Sequence, residues 1–284
     1  MKIFSKNKKT QENKQPLKVN AGIAFGGGGT RGFAHIGVIR AFEECGIEFA
    51  YTAGTSAGAI AASCYAAGMT SNDMEELIKD LKIRDIRNSR VFFIASDSYN
   101  IEKLMQKAFD DTTFEELKKP LAVVAVDLKS GDEVVIKNGK IAKAVSASCA
   151  VPGIFTPVEY GFYNLVDGGL ANPVPADILR GMGAEKVVSV DLNPARGNGT
   201  DSKKFLDVIF ATFRIAMKAT AIRGIVNSDI IIQPDLAKFK ATSPQGSDDM
   251  IKAGYDAAME SMDQIRELLK IPASYIKKNV EKED

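Results

Sequence analysis

Histidine is nearly absent from this sequence. The 284-residue chain has one, His35, and no tryptophan. A single imidazole excludes any mechanism that needs two, whether a histidine-rich metal site or a histidine proton relay. Cysteine is scarce as well. Cys45, Cys64 and Cys149 are odd in number and lack CxxC spacing, which argues against a disulfide framework or a zinc ribbon and for a reducing, cytoplasmic setting. Net charge is only +1, so no global field favours a nucleic-acid partner. No apolar run approaches the ~20 residues that a membrane-spanning helix requires. What is present is 45% hydrophobic and 26% charged. That suits one globular domain, or at most two small ones, with a core that needs no covalent staples.

Residues 1–20 place Lys2, Lys6, Lys8, Lys9, Lys14 and Lys18 among polar neighbours. This reads as a basic, disordered, solvated tail without the apolar stretch of a secretory signal. Attachment to anionic lipid is the sharper alternative, at about 1 kcal/mol per lysine. Lys277 to Asp284 reads as a frayed end. Between them, short apolar runs predict strands at Ala21–Phe25, Phe49–Ala53, Leu121–Val126, Lys186–Asp191 and Asp229–Gln233. Helical periods cover Arg31–Cys45 and Ala57–Ala67, and Thr70 or Ser71 caps another helix. Thr113-Phe114-Glu115-Glu116 has capping-box spacing, and Glu133–Ile136 is expected to pair with the segment after the Asn138-Gly139 turn. The alternation predicts an α/β layered fold with a mostly parallel sheet. The loop Pro194–Ser202 is the expected boundary between a core over 21–195 and a mainly helical extension over 196–284, packed on that core.

Gly26-Gly27-Gly28-Gly29-Thr30-Arg31-Gly32 lies between a strand and a helix. Successive amides at a helix N-terminus suit negative charge. Gly27, Gly29 and Gly32 fit GxGxxG, but the second strand runs out through Tyr51-Thr52-Ala53-Gly54-Thr55 without the acid a dinucleotide ribose requires. No Gly-Lys-Ser/Thr closes a phosphate-binding loop either. An oxyanion hole uses the same donors and needs neither. Gly54-Thr55-Ser56-Ala57-Gly58 then matches GxSxG between an apolar strand and a small-residue helix, the setting of a nucleophilic serine. Gly54 and Gly58 are the positions where side chains would collide across so sharp a turn.

A serine hydroxyl needs a proton acceptor. No histidine follows Ser56, and His35 sits inside the helix that leaves the glycine cluster, where packing beneath the loop is the simpler role. Asp167, in Leu165-Val166-Asp167-Gly168-Gly169, is the other candidate: its glycines permit close approach, and burial would raise its basicity. A Ser–Asp dyad is chemically sufficient. Asp127 and Asp191 also end strands, and lacking flanking glycines they read as structural.

In this order the glycine cluster, Gly54-Thr55-Ser56-Ala57-Gly58 and Asp167-Gly168-Gly169 resemble the patatin-like phospholipase family. Ala147-Ser148-Cys149-Ala150-Val151-Pro152-Gly153-Ile154-Phe155 is similar to the family's stretch before its dyad aspartate. The resemblance spans about Ala21 to Asp191. It implies a three-layer α/β/α sandwich and hydrolysis of lipid acyl esters, of phospholipase A or lysophospholipase type, without metal or cofactor. It further implies Ser56 as nucleophile, Asp167 as proton acceptor, and an oxyanion loop of Gly27, Gly28 and Gly29 with Arg31 as its basic member. Acyl transfer to another acceptor, and lipid binding without turnover, are the alternatives. Acyl chains need an apolar entrance. Val91-Phe92-Phe93-Ile94 and the helically spaced Phe205, Ile209, Phe210 and Phe213 read first as core and second as a lid in peripheral contact with a membrane.

Overall fold

The computed structural model describes residues 16–77, 99–193, 205–272 and Tyr275. Residues 1–15 of the basic tail, Val91–Ile94, the boundary loop and Lys277–Asp284 lie outside the described residues. Eight strands form one mixed sheet: β1 (Leu17–Phe25), β2 (Ile47–Thr55), β3 (Leu121–Asp127), β4 (Glu133–Ile136), β5 (Val158–Tyr160), β6 (Tyr163–Asp167), β7 (Lys186–Val190) and β8 (Ile230–Ile232). Their order is β5-β6-β3-β2-β1-β7-β8, with β4 also on β3. The run β3-β2-β1-β7-β8 is parallel; at one side β4 and β6 pair antiparallel with β3, and β5 pairs antiparallel with β6. All seven residues of β3 are buried, as expected of a strand covered on both faces.

Helices complete the α/β/α sandwich. On one face Ile23, Phe25 and Val123 pack with α1 (Ala34–Glu44), α2 (Ala57–Ala67), α5 (Ile141–Ser148) and α8 (Ser247–Glu260). On the other, Ala24, Ala53 and Ala122 meet α6 (Ala176–Gly181) through Ala176 and Leu179. Phe25, Phe42 and Phe49 are fully buried, and the last two meet edge to face at 4.9 Å. Burial of each contributes about 1.5–3 kcal/mol. The helix over 71–77 is α3, with Thr70 Oγ1 accepting the Asp73 N–H at 3.1 Å. Tyr99–Phe109 is α4.

Several expectations change. The first strand starts at Leu17, so the last residues assigned to the tail are sheet. The segment after the glycine cluster opens as a 3₁₀ turn, Gly29–Phe33, before α1 begins. β4 pairs with β3 before it, and the segment after Asn138-Gly139 enters α5. Asp127 explains this: its carboxylate accepts the N–H groups of Ser130 and Asn164, each at 3.1 Å, and turns the chain back at once. The described residues beyond 204 are not merely packed on a finished core. They supply β8, which pairs with β7 through Val190↔Ile232, and α8, which crosses α1. A Cβ on Gly37 would lie 1.8 Å from Ile251 O, so these two helices touch backbone to backbone.

The remaining helices are α7 (Phe205–Asn227) and α9 (Met262–Leu268). On α7, Phe205, Val208, Thr212, Ile215, Ala219, Ile222 and Val226 are all exposed, spaced alternately by three and four. Among the described residues no helix is long and apolar enough to cross a membrane.

Candidate active site

Sheet register brings the site together. β1 and β2 are neighbours with Phe25 opposite Gly54, so the glycine loop and the Ser56 turn leave the sheet side by side. β2 neighbours β3 with Thr55 opposite Val124, and β6 pairs with β3 with Asp167 opposite Ala125. Ser56 and Asp167 therefore stand at one level on either side of β3.

Ser56 has φ 55° and ψ −125° and caps the N-terminus of α2. This left-handed conformation is strained for a residue with a Cβ, by roughly 1–3 kcal/mol, and is a common mark of a functional turn. The crowding expected at the turn is present. A Cβ on Gly54 would lie 2.3 Å from Gly58 O, and one on Gly58 would lie 1.9 Å from Phe25 O. The Ser56 N–H donates to Ser148 Oγ at 2.8 Å, and that hydroxyl donates to Val124 O at 2.6 Å. Ser148 thus fastens the turn to β3.

Ser56 Oγ donates to Asp167 Oδ2 at 2.6 Å, while the Gly169 N–H donates to Oδ1 at 2.8 Å. Gly168 lets the chain pass over β3, since a Cβ there would lie 2.2 Å from Val124 O. Burial pushes the fully enclosed Asp167 carboxyl up to about 7, against the pull of its two hydrogen bonds. The neighbouring Cys149 thiol is pushed well above its ordinary pKa by burial and by the Asp167 charge, so it stays protonated.

The glycine loop corrects one expectation. The Gly27 N–H donates to Pro173 O at 2.9 Å, and the Gly27 carbonyl accepts Asn193 Nδ2 at 2.6 Å. Its amide is therefore spent. Among the described residues the amides of Gly28 and Gly29 have no acceptor, and both residues line the cavity with Ser56. At Gly29, φ is +59° and a Cβ would lie 2.4 Å from Ala241 O. Arg31 is buried, and its Nε and Nη2 donate to Phe239 O at 3.0 and 2.8 Å. It ties the loop to the C-terminal segment. Gly32 allows close packing on α2: a Cβ there would lie 2.7 Å from that of Ala57.

His35 lies beneath the loop. Its Nε2 is 2.8 Å from Gly26 O and must carry the hydrogen, because a carbonyl only accepts. Its ring meets Phe25 edge to face at 5.1 Å, and burial pushes its pKa down to about 4. The imidazole is neutral and committed elsewhere.

Above Ser56 lies a cavity of about 290 Å³. Ala211, Phe213, Arg214 and Met217 of α7 form one wall, and residues 237–242 form the other. Phe213 is half-buried in that wall and Phe205 is exposed, so the aromatic set expected as core divides between cavity and surface. The side chain of Phe210 lies outside the described residues. Asp127 and Asp191 both serve turns; Asp191 accepts the Asn193 N–H at 2.9 Å. Ser148 and Asn193 escaped the sequence reading as site residues. For Ser148 the available signal was its place in the Ala-Ser-Cys-Ala-Val-Pro-Gly block.

A sequence-family model described as patatin-like phospholipase matches residues 23–180. An uncharacterized NTE family protein of Mycobacterium tuberculosis (strain CDC 1551 / Oshkosh) is 28% identical over 279 residues, covering 85% of this chain and 46% of the relative. Patatin-like phospholipase domain-containing protein 6 of Mus musculus is 31% identical over 181 residues, covering 60% of this chain and 13% of the relative. The chain spans less than half the length of these curated relatives. The crystal structure of VipD from Legionella pneumophila aligns with TM-score 0.58 at 19% identity, covering 86% of this chain and 67% of that one.

Proposed function

The chain belongs to the patatin-like phospholipase family, and from that premise we propose that it hydrolyses lipid acyl esters, as a phospholipase A or lysophospholipase, through a Ser–Asp dyad. The observation that carries this reading is the 2.6 Å hydrogen bond from Ser56 Oγ to Asp167 Oδ2. Asp167 takes the hydroxyl proton as Ser56 attacks the ester carbonyl. The tetrahedral oxyanion forms against the amides of Gly28 and Gly29, and the nearby N-terminus of α2 favours negative charge there. Collapse expels the alcohol or lysolipid, which receives the proton from Asp167. Water then loses a proton to Asp167, attacks the acyl-enzyme and releases the fatty acid.

The magnitudes suffice. A positioned general base contributes about 10²–10⁴ in rate, and each oxyanion donor about 10²–10³. The exposed, mostly apolar row of α7, on the helix that walls the cavity, supports peripheral contact with a lipid surface. The decisive test is turnover of p-nitrophenyl butyrate and lysophospholipids by the wild type and Ser56→Ala, together with fluorophosphonate labelling. Labelling at Ser56 with activity lost in the variant is expected. An active, unlabelled Ser56→Ala protein would sink the assignment. Product analysis with an added alcohol separates hydrolysis from acyl transfer.

A further inference from the structure

The cavity above Ser56 is electrostatically lopsided. Among the described residues four cationic side chains line it, Arg31, Arg214, Lys238 and Lys240, against one carboxylate, Asp207. Among the described residues Arg214, Lys238 and Lys240 form no ion pair. Burial, and then the Arg214 charge, push the Arg31 guanidinium below its ordinary pKa, as expected of cations crowded together without matching anions. Such a cluster gains most from a ligand that brings negative charge.

The aromatic lining narrows the ligand further. Among the described residues two phenylalanines line the cavity, Phe213 and Phe239. Lys238 Nζ sits 5.1 Å over the centroid of the Phe239 ring, the place a quaternary ammonium head group would need. A choline ester would meet one ring face already taken and four like charges around it. A head group whose phosphate has no cation of its own meets neither obstacle.

Resting on the hydrolase reading above, we propose that this cavity selects acyl esters with a net-negative phosphate head group, gripped by Arg214 from α7 and Lys238 from the facing wall. Zwitterionic choline esters and neutral esters are disfavoured. Arg214 supplies a planar fork suited to two phosphate oxygens, and Lys238 supplies a point charge.

The test compares kcat/KM on lysophosphatidylglycerol, lysophosphatidylcholine and p-nitrophenyl butyrate. Its variants are Arg214→Gln, Lys238→Gln, the double variant and a charge control, Lys252→Gln, on the exposed side of α8. The wild type is expected to favour the glycerol over the choline lipid by about tenfold or more, less so at high salt. The double variant should lose about 10–100-fold on lysophosphatidylglycerol, chiefly in KM, as expected of two charge contacts partly screened by solvent at the cavity mouth. Its loss on the neutral ester should be smaller, and Lys252→Gln should behave as wild type. Equal use of both lysolipids by the wild type, or equal losses on all three substrates in the double variant, would overturn the proposal. Calorimetric binding of each lysolipid to Ser56→Ala reads head-group choice without turnover. Absent catalysis with selective binding would remove the hydrolase reading and leave the anion site. Catalysis with indifferent binding would do the reverse.

Discussion

In the proposed dyad Asp167 has to be ionised to accept a proton, and its enclosure sets the pH at which that holds. With its carboxyl raised to about 7 by burial, kcat/KM on a neutral ester should climb through a single ionisation near pH 7 and level off above it. The same shift weakens the fold. An unfolded aspartate ionises near 3.8, so between about pH 4 and pH 7 the unfolded chain sheds a proton that the folded chain keeps. Stability therefore falls as pH rises across that window, by an amount on the order of 4 kcal/mol. Asp167→Asn can still accept from Gly169 and donate to Ser56 Oγ. It should abolish turnover yet unfold at a higher temperature than wild type at pH 8, with little difference at pH 4. An active variant, or one no more stable at pH 8, would take Asp167 out of this role. His35 has the opposite sign: held neutral down to about 4, it makes the fold lose stability as pH drops from about 6.5 towards 4. His35→Ala should lower stability by a few kcal/mol, through a cavity and an orphaned Gly26 carbonyl. The midpoint of its pH–rate curve should stay near 7, and a displaced midpoint would return the imidazole to the chemistry. The placement of these two residues was legible in the sequence: with one histidine inside a helix, the aspartate before two glycines was the candidate that remained, and it lies 2.6 Å from Ser56 Oγ. Ser148 was harder to see, since a serine at a helix end has many uses and its contact with the Ser56 amide spans 92 positions.

The strand–turn–helix around Ser56 was readable for a related reason. A turn this tight leaves no room for side chains, so its geometry is written locally as Gly54 and Gly58. Gly58→Ala should prevent folding or cost more than about 3 kcal/mol, because its methyl group would sit 1.9 Å from the Phe25 carbonyl, and backbone cannot rotate aside as a side chain can. Strand pairing was not legible in this way. Nothing within Glu133–Ile136 says that it turns back onto β3 rather than forward, because the deciding contacts come from Asp127 and Asn164. The crossing of α1 and α8 was likewise hidden. Gly37 and Gly254 look like weak points inside helices until the two are seen to meet, with a Cβ on Gly254 placed 1.9 Å from Ala34 O. Gly254→Ala should therefore destabilise the protein measurably in urea, although alanine is the better helix former by about 1 kcal/mol. A more stable Gly254→Ala protein would mean that the two helices are not in backbone contact.

A layered α/β fold with a mostly parallel sheet followed from the alternation of strands and helices, and its three layers from the family resemblance, while the place of the C-terminal third followed from neither. It supplies a strand, a covering helix and both cavity walls, and each is fixed by partners far away in the chain. The exposed row on α7 bears on the peripheral lipid contact proposed above. Ile215→Ser with Ile222→Ser should reduce co-sedimentation with phosphatidylglycerol vesicles several-fold, with the melting temperature held within a few degrees, because both side chains are more than half exposed. Unchanged sedimentation would remove this face from the proposed contact with a lipid surface. The tether between the glycine loop and residues 239–243 runs entirely to peptide oxygens: Arg31 to Phe239 O, the Thr30 N–H to Ala241 O, and Thr30 Oγ1 to the carbonyls of Lys240 and Ser243. Peptide oxygens are the same whatever residue carries them. Positions 238, 240 and 242 are thus open to randomisation in a library that reshapes the cavity mouth, while the loop beside Ser56 keeps its anchorage.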